Sequence, residues 1–207
     1  MEKPDNIATK TRYLKMRKML PTDCSNLTIL DIGAGKYPIS KGVSCKKVIS
    51  LDGENKYNPD IMVDLNCEKI PLKDSSIDIL IAGEIIEHMF NPTRFLSEIN
   101  RVLKKGGLLI LSTPNICSFK NRIRMLFNLI PEHSANHLQC SNKDIHHLQD
   151  HVGDFNSRSI KCHLNNAGFR LSKLDSNGVI FRGKRIFPLV LTPSSFGEVL
   201  ILKAKKL

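Results

Sequence analysis

The chain has 207 residues, 41% hydrophobic and 25% charged, with a net charge of +11. That is enough for one ordinary domain, and the composition excludes disordered, collagen-like and coiled-coil chains. The charge is uneven: residues 51–100 carry ten acids against four bases, so the rest is more basic than the total. A basic shell around an acidic stripe suits an anionic partner, whether phosphorylated metabolite, RNA or lipid, or is simply a solvated surface. No run reaches the roughly 18 apolar residues of a membrane span. The first 20 residues lack the apolar centre of a signal peptide. Six cysteines (24, 45, 67, 117, 140, 162) are scattered without a C-x-x-C pair. That argues against a zinc ribbon or disulfide framework and for a reduced, cytoplasmic compartment.

Residues 1–26 read as an N-terminal helical segment. Its bases Lys10, Arg12, Lys15, Arg17 and Lys18 belong to a solvated helix, or to one that lies over the site or meets an anionic partner. Short apolar runs then predict strands at 28–32, 48–51, 61–63, 77–82 and 108–111, each halted by Gly, Asp or Pro. A helix is expected over Pro92–Lys105, capped by Asn91 with Pro92 in its first position. Phe95, Leu96, Ile99, Val102 and Leu103 recur along it at the helical period. Strands alternating with helices predict an α/β, Rossmann-like, doubly wound parallel sheet with helices on both faces. Residues 27–114 form its core. Residues 115–156 read as an insertion on the substrate side, starting with a basic amphipathic helix over 116–130 that bears Arg122 and Arg124. Residues 157–207 add a helix from Ser157 to Asn166 and two strands, Arg170–Asp175 and Phe196–Lys203.

In such sheets ligands sit beyond the carboxyl ends of the strands, at the point where strand order reverses. Asp31–Gly35, Asp52, Asp64 and Gly83–His88 all fall at or just after strand ends. Gly33-Ala34-Gly35 allows a backbone to approach a ligand closely. It is neither the dinucleotide fingerprint, since Pro38 stands at the last glycine position, nor a P-loop. Asp52, following the second strand, can accept the hydroxyls of a ribose. Asp64-Leu65 lies where a base edge could be held, although a lone Asp at a strand end is often a turn former.

These stretches resemble class I S-adenosylmethionine-dependent methyltransferases: ILDIGAG their first motif, ISLDG their ribose-binding loop, VDLN the adenine-side loop. Residues 77–115 are similar to their fourth strand, following helix and fifth strand, and FNSRSIKCHLNNAGF to their late helix. The resemblance implies a seven-stranded sheet with an antiparallel last strand and S-adenosyl-L-methionine as cofactor. Gly33, Ala34 and Gly35 would line the methionine moiety with Asp31 nearby. Asp52 would hold the ribose, Asp64 and Leu65 the adenine end, and Gly83-Glu84 the ammonium. Only residues 36–46 separate the first motif from the second strand, so the usual first helix must be short or distorted.

The sequence Glu84-x-x-Glu87-His88 places three ligand types on one face if it is helical. It resembles the metal motif of small-RNA 2′-O-methyltransferases and of ubiquinone-pathway O-methyltransferases. Oxygen donors there would favour Mg²⁺ or Mn²⁺. In the metal-free alternative, the preferred one, Glu84 meets the cofactor and His88 packs or acts as a base. A metal site would need one more His, from His133, His137, His146, His147 or His151. The expected activity is methyl transfer to a small or carrier-linked acceptor, anionic or neutral, with a hydroxyl favoured and glycan, quinone or lipid chemistry in view. RNA methylation and non-catalytic cofactor binding are the alternatives. Aromatics at 6% and the absence of Trp weigh against base stacking on RNA.

Overall fold

The computed structural model describes residues 6–134, 151–181, 184–185 and 193–207. The strands are β1 (Cys24–Ile32), β2 (Cys45–Asp52), β3 (Ile61–Met62), β4 (Ile77–Gly83), β5 (Leu103–Pro114), β6 (Phe169–Ser176), β7 (Ile180–Phe181), β8 (Lys184–Arg185) and β9 (Val199–Lys206). Seven form one sheet in the order β3-β2-β1-β4-β5-β9-β6, and β7 pairs with β8. From β3 to β5 all neighbours are parallel, while β9 runs antiparallel to both β5 and β6. The expected sheet is present, antiparallel last strand included. Strand order reverses between β1 and β4, which opens a crevice at their carboxyl ends.

Strand alternation divides the core. Leu30, Ile32, Leu80, Ala82, Leu109 and Leu111 face one side. Helix α2 (Pro92–Val102) and helix α4 (Ser157–Asn166) cover them with Phe95, Leu96, Ile99, Val102, Ile160 and Leu164. Each of these six side chains is at most 2% exposed, worth about 1.5–3 kcal/mol apiece. The opposite side carries Ile29, Ile79, Ile81, Ile110 and Ile201. It is covered by Tyr13 and Met16 of helix α1 (Ile7–Arg17), with Met19 and Ile39.

Asn91 caps α2 by accepting the Arg94 N–H, and Pro92 opens it, as expected. The helix ends earlier than its periodicity suggests. Leu103 pairs with Ile77 of β4, and the register then jumps so that Leu108 faces Ile79. Lys104–Gly107 are therefore a bulge in β5 rather than the last turn of the helix, with Gly106 at φ +75° and Lys104 paired to Asp78 at 2.7 Å. Between β1 and β2 the chain forms turns and no helix. Tyr37, Ile39 and Val43 pack there against the α1 side of the sheet.

The N-terminal basic run is largely used within the fold. Lys15 binds Asp175 and the Ser176 carbonyl, and Arg17 donates to the carbonyls of Ile39 and Lys41. Arg12 points into the crevice, while Lys10 and Lys18 face solvent. The five described cysteines (24, 45, 67, 117, 162) are free thiols. Among the described residues no helix is long and apolar enough to cross a membrane.

Candidate active site

The crevice holds two adjoining cavities that share Gly33. One, of about 140 Å³, is lined by Arg12, Asp31, Gly33, Ala34, Gly35 and Gly83, among others. The other, of about 90 Å³, is lined by Gly33, Asp52, Asp64, Leu65, Ile85 and Met89, among others. The structure thus brings the expected residues Asp31, Gly33, Ala34, Gly35, Asp52, Asp64, Leu65 and Gly83 to one crevice. Gly33 and Gly35 both have left-handed backbones, φ +63° and +49°. A Cβ on Gly33 would stand 2.1 Å from Ile85 Cδ1, so the glycine is what lets Ile85 lie against the loop.

Asp31 is 2% exposed. Its Oδ2 accepts both the N–H and the hydroxyl of Ser40, at 2.9 and 2.7 Å. Burial raises its pKa and the Ser40 bonds partly offset the rise. Its main local task is to tie down the segment that replaces a helix after β1. Among the described residues the Asp52 carboxylate accepts the Glu54 N–H, at 3.2 Å, and the residue lines the cavity. Asp64 combines two roles. It lines the cavity and also forms a turn, with Oδ1 accepting the Asn66 N–H at 2.9 Å and its carbonyl accepting from Cys67 and Glu68.

After β4 the backbone departs from the helix that E-x-x-E-H suggests. Glu84 is left-handed at φ +59°, and only a short 3₁₀ turn, Ile86–His88, follows. The Glu84 N–H donates to the Ser112 carbonyl, and Glu84 Oε1 accepts the Ser112 hydroxyl at 2.9 Å. Arg12 donates to that same hydroxyl at 3.4 Å. Strained non-glycine residues of this kind cost about 1–3 kcal/mol and collect at functional sites. Glu84 is therefore held by Ser112 and is not part of the group with metal-ligand geometry. The group with metal-ligand geometry is Glu87, His88 and His151, whose ligand atoms lie within 4.8 Å of one another.

Glu87 is 1% exposed. Burial first, and the Glu84 charge second, push its pKa well above the usual carboxylate range. His133 is shifted down by burial and by neighbouring His151. The His88 and His151 rings stand 5.0 Å apart, and those of His133 and His151 6.0 Å apart. His137, His146 and His147 lie outside the described residues. Ser112 and Thr113 had no assigned role in the sequence beyond lying in the S-T-P-N strand end, whereas Arg12 was one base of the N-terminal run and His151 one of five candidate metal histidines.

A third cavity, of about 290 Å³, lies beyond the end of β5. Pro114, Asn115, Ser118, Asn121, His133 and Glu198 help to line it. Burial raises the pKa of Glu198. Helix α3 (Phe119–Leu126) borders this cavity through Lys120 and Asn121. It is shorter than the expected 116–130, and its apolar stripe faces outward, with Leu126 79% and Phe127 73% exposed. Arg122 and Arg124 are held by the carbonyls of Cys117 and Ile130.

Sheet order, glycine loop and carboxylates at successive strand ends make an α/β domain with a single crevice at its strand ends, and known proteins share these features. Residues 30–111 match the family model described as a methyltransferase domain. A probable S-adenosylmethionine-dependent methyltransferase of Mycobacterium tuberculosis is 29% identical over 118 residues, which is 52% of this chain and 43% of that protein. A Thermotoga maritima S-adenosylmethionine-dependent methyltransferase structure superposes with TM-score 0.66 at 19% identity, covering 95% of this chain and 88% of that one. An Archaeoglobus fulgidus one gives 0.62 at 16% identity, covering 94% and 92%. The chain is thus similar in sequence to a methyltransferase domain over residues 30–111 and shares the fold of S-adenosylmethionine-dependent methyltransferases. It spans less than half the length of the mycobacterial relative it matches.

Proposed function

We propose that the chain transfers a methyl group from S-adenosylmethionine to a hydroxyl of a small or carrier-linked acceptor. The observation that carries this reading is the Gly33 crevice together with a second cavity at the end of β5, the strand whose Ser112 donates to Glu84 and whose Pro114 lines that cavity. The residues of the crevice suit the cofactor's charges. Arg12 would face its carboxylate, Glu84 and the Gly83 backbone its ammonium, Asp52 its ribose, and Asp64 and Leu65 its adenine end. Gly33, Ala34 and Gly35 leave room for its methionine chain. When bound, the cofactor supplies a methyl already activated by its sulfonium. The protein then has to align the acceptor and exclude water, and alignment alone can lower a barrier by about 7–11 kcal/mol. His133, which lines the acceptor cavity, and His88, on the 3₁₀ turn after β4, would receive the acceptor's proton.

Two features favour a small or carrier-linked acceptor over RNA. Arg12, Lys15 and Arg17 are bound within the fold, which leaves few of the N-terminal bases for phosphates. The exposed Leu126 and Phe127 beside a polar cavity suit an acceptor with a polar head on an apolar carrier. Methyl-labelled cofactor incubated with fractionated cell extract should label the small-molecule or lipid fraction. Label appearing in RNA instead would overturn the acceptor class. Asp52→Ala should weaken S-adenosylhomocysteine binding about 10–100-fold, the worth of a hydrogen bond to a charged group. Its melting temperature should stay near wild type, because the Asp52 side chain makes one weak bond among the described residues. Calorimetric titration checks this, and unchanged affinity would remove Asp52 from the cofactor site.

A further inference from the structure

We propose that Glu87, His88 and His151 form a binding site for one divalent transition-metal ion. The three residues come from two separate parts of the chain, and backbone hydrogen bonds bring them together. The N–H groups of Val152 and Gly153 both donate to the Glu87 carbonyl, at 2.8 and 3.0 Å. This pins the loop that carries His151 directly against the 3₁₀ turn that carries Glu87 and His88.

The side chains are prepared for an ion in two ways. Glu87 Oε2 accepts the Thr113 hydroxyl at 3.0 Å. Its Oε1 is buried and has no hydrogen-bond partner among the described residues. A buried, unsatisfied carboxylate oxygen is costly unless a cation or donor meets it. His151 Nδ1 lies 2.7 Å from the His133 carbonyl oxygen. As the donor in that bond, Nδ1 carries the proton and leaves the lone pair on Nε2. A backbone carbonyl commonly orients a metal-bound imidazole in this way. Thr113 and the His133 carbonyl thus act as outer supports for two of the three ligands.

Two imidazoles and one carboxylate favour Zn²⁺, Fe²⁺, Co²⁺ or Mn²⁺ over Mg²⁺ or Ca²⁺, which prefer oxygen alone. This departs from the Glu84, Glu87 and His88 set read from the sequence, because Glu84 is held by Ser112. Metal–ligand bonds of about 2.1 Å place two ligand atoms no more than about 4.2 Å apart. The present span of up to 4.8 Å would close by a small inward shift of the ligands on binding. The remaining coordination positions would be open to water or to an acceptor oxygen, since His133 neighbours His151 and lines the acceptor cavity. The site assigns His88 to the ion and leaves His133 as the imidazole facing the acceptor.

The test is titration of chelator-treated protein with Co²⁺, followed by visible absorption. One ion per chain should bind, give a saturable absorption band, and be displaced by one equivalent of Zn²⁺ but not by excess Mg²⁺. His151→Ala should lower Co²⁺ affinity about 100-fold or more, beyond the 10–100-fold cost of losing an outer support. Glu87→Gln should do the same. S-adenosylhomocysteine affinity, measured on the same metal-free samples, should remain at the wild-type value for His151→Ala. That readout tests the cofactor crevice independently of the ion. A folded wild type that gives no band, or a His151→Ala variant that binds Co²⁺ as tightly as wild type, would overturn the site.

Discussion

Asp31→Ala should destabilise the fold by about 3 kcal/mol at neutral pH. The substitution strips the acceptor from two buried Ser40 groups at once, and each unsatisfied buried donor costs about 1–3 kcal/mol. Asp31→Asn keeps an oxygen for Ser40 and removes the buried charge, so it should match or exceed wild-type stability at pH 7. The sign of the pH dependence separates the two effects. Burial holds the folded-state pKa of Asp31 above that of the unfolded chain. Below about pH 4, where the unfolded carboxyl is also protonated, wild type bears no charge-burial cost. That cost grows as pH rises towards the folded-state value. The stability of Asp31→Asn relative to wild type should therefore increase with pH across that range. Urea denaturation of the three proteins at several pH values is the check. An Asn variant as unstable as the Ala variant would show that the charge, and not the Ser40 bonds, holds the loop.

Gly33→Ala should lower S-adenosylhomocysteine affinity about 100-fold, a loss of roughly 3 kcal/mol. Two causes add. An L-residue at φ +63° is strained by about 1–2 kcal/mol. The new methyl would also stand 2.1 Å from Ile85 Cδ1 and 2.5 Å from Cγ1, so Ile85 must swing out of its place in the cavity wall. The double variant Gly33→Ala/Ile85→Ala divides these contributions. Truncating Ile85 removes the collision and leaves the backbone strain, so the double variant should recover part of the affinity lost in the single one. A Gly33→Ala protein that binds S-adenosylhomocysteine like wild type would remove Gly33 from the cofactor cradle.

The sheet strands could be read from the chain because each buried strand is a short apolar run closed by a turn residue, a strictly local pattern. The start of α2 was legible for the same reason, since Asn91 and Pro92 act on their own neighbours. Its end was not, because Leu103 continues the helical period but pairs with Ile77 across the sheet. The 84–88 segment follows the same rule. Its spacing suits a helix, yet the Ser112 carbonyl and hydroxyl hold Glu84 in a left-handed turn.

The sequence alone determined the sheet class, the glycine loop and the carboxylates at successive strand ends. Those features depend on residues close in the chain, whose hydrophobic period and turn chemistry act locally. Only the tertiary structure decided that Arg12 enters the crevice, that Asp31 serves Ser40, and that His151 rather than Glu84 joins Glu87 and His88. Each of those outcomes depends on a hydrogen bond or a packing contact between distant segments, and such partners are set by the assembled sheet rather than by local spacing.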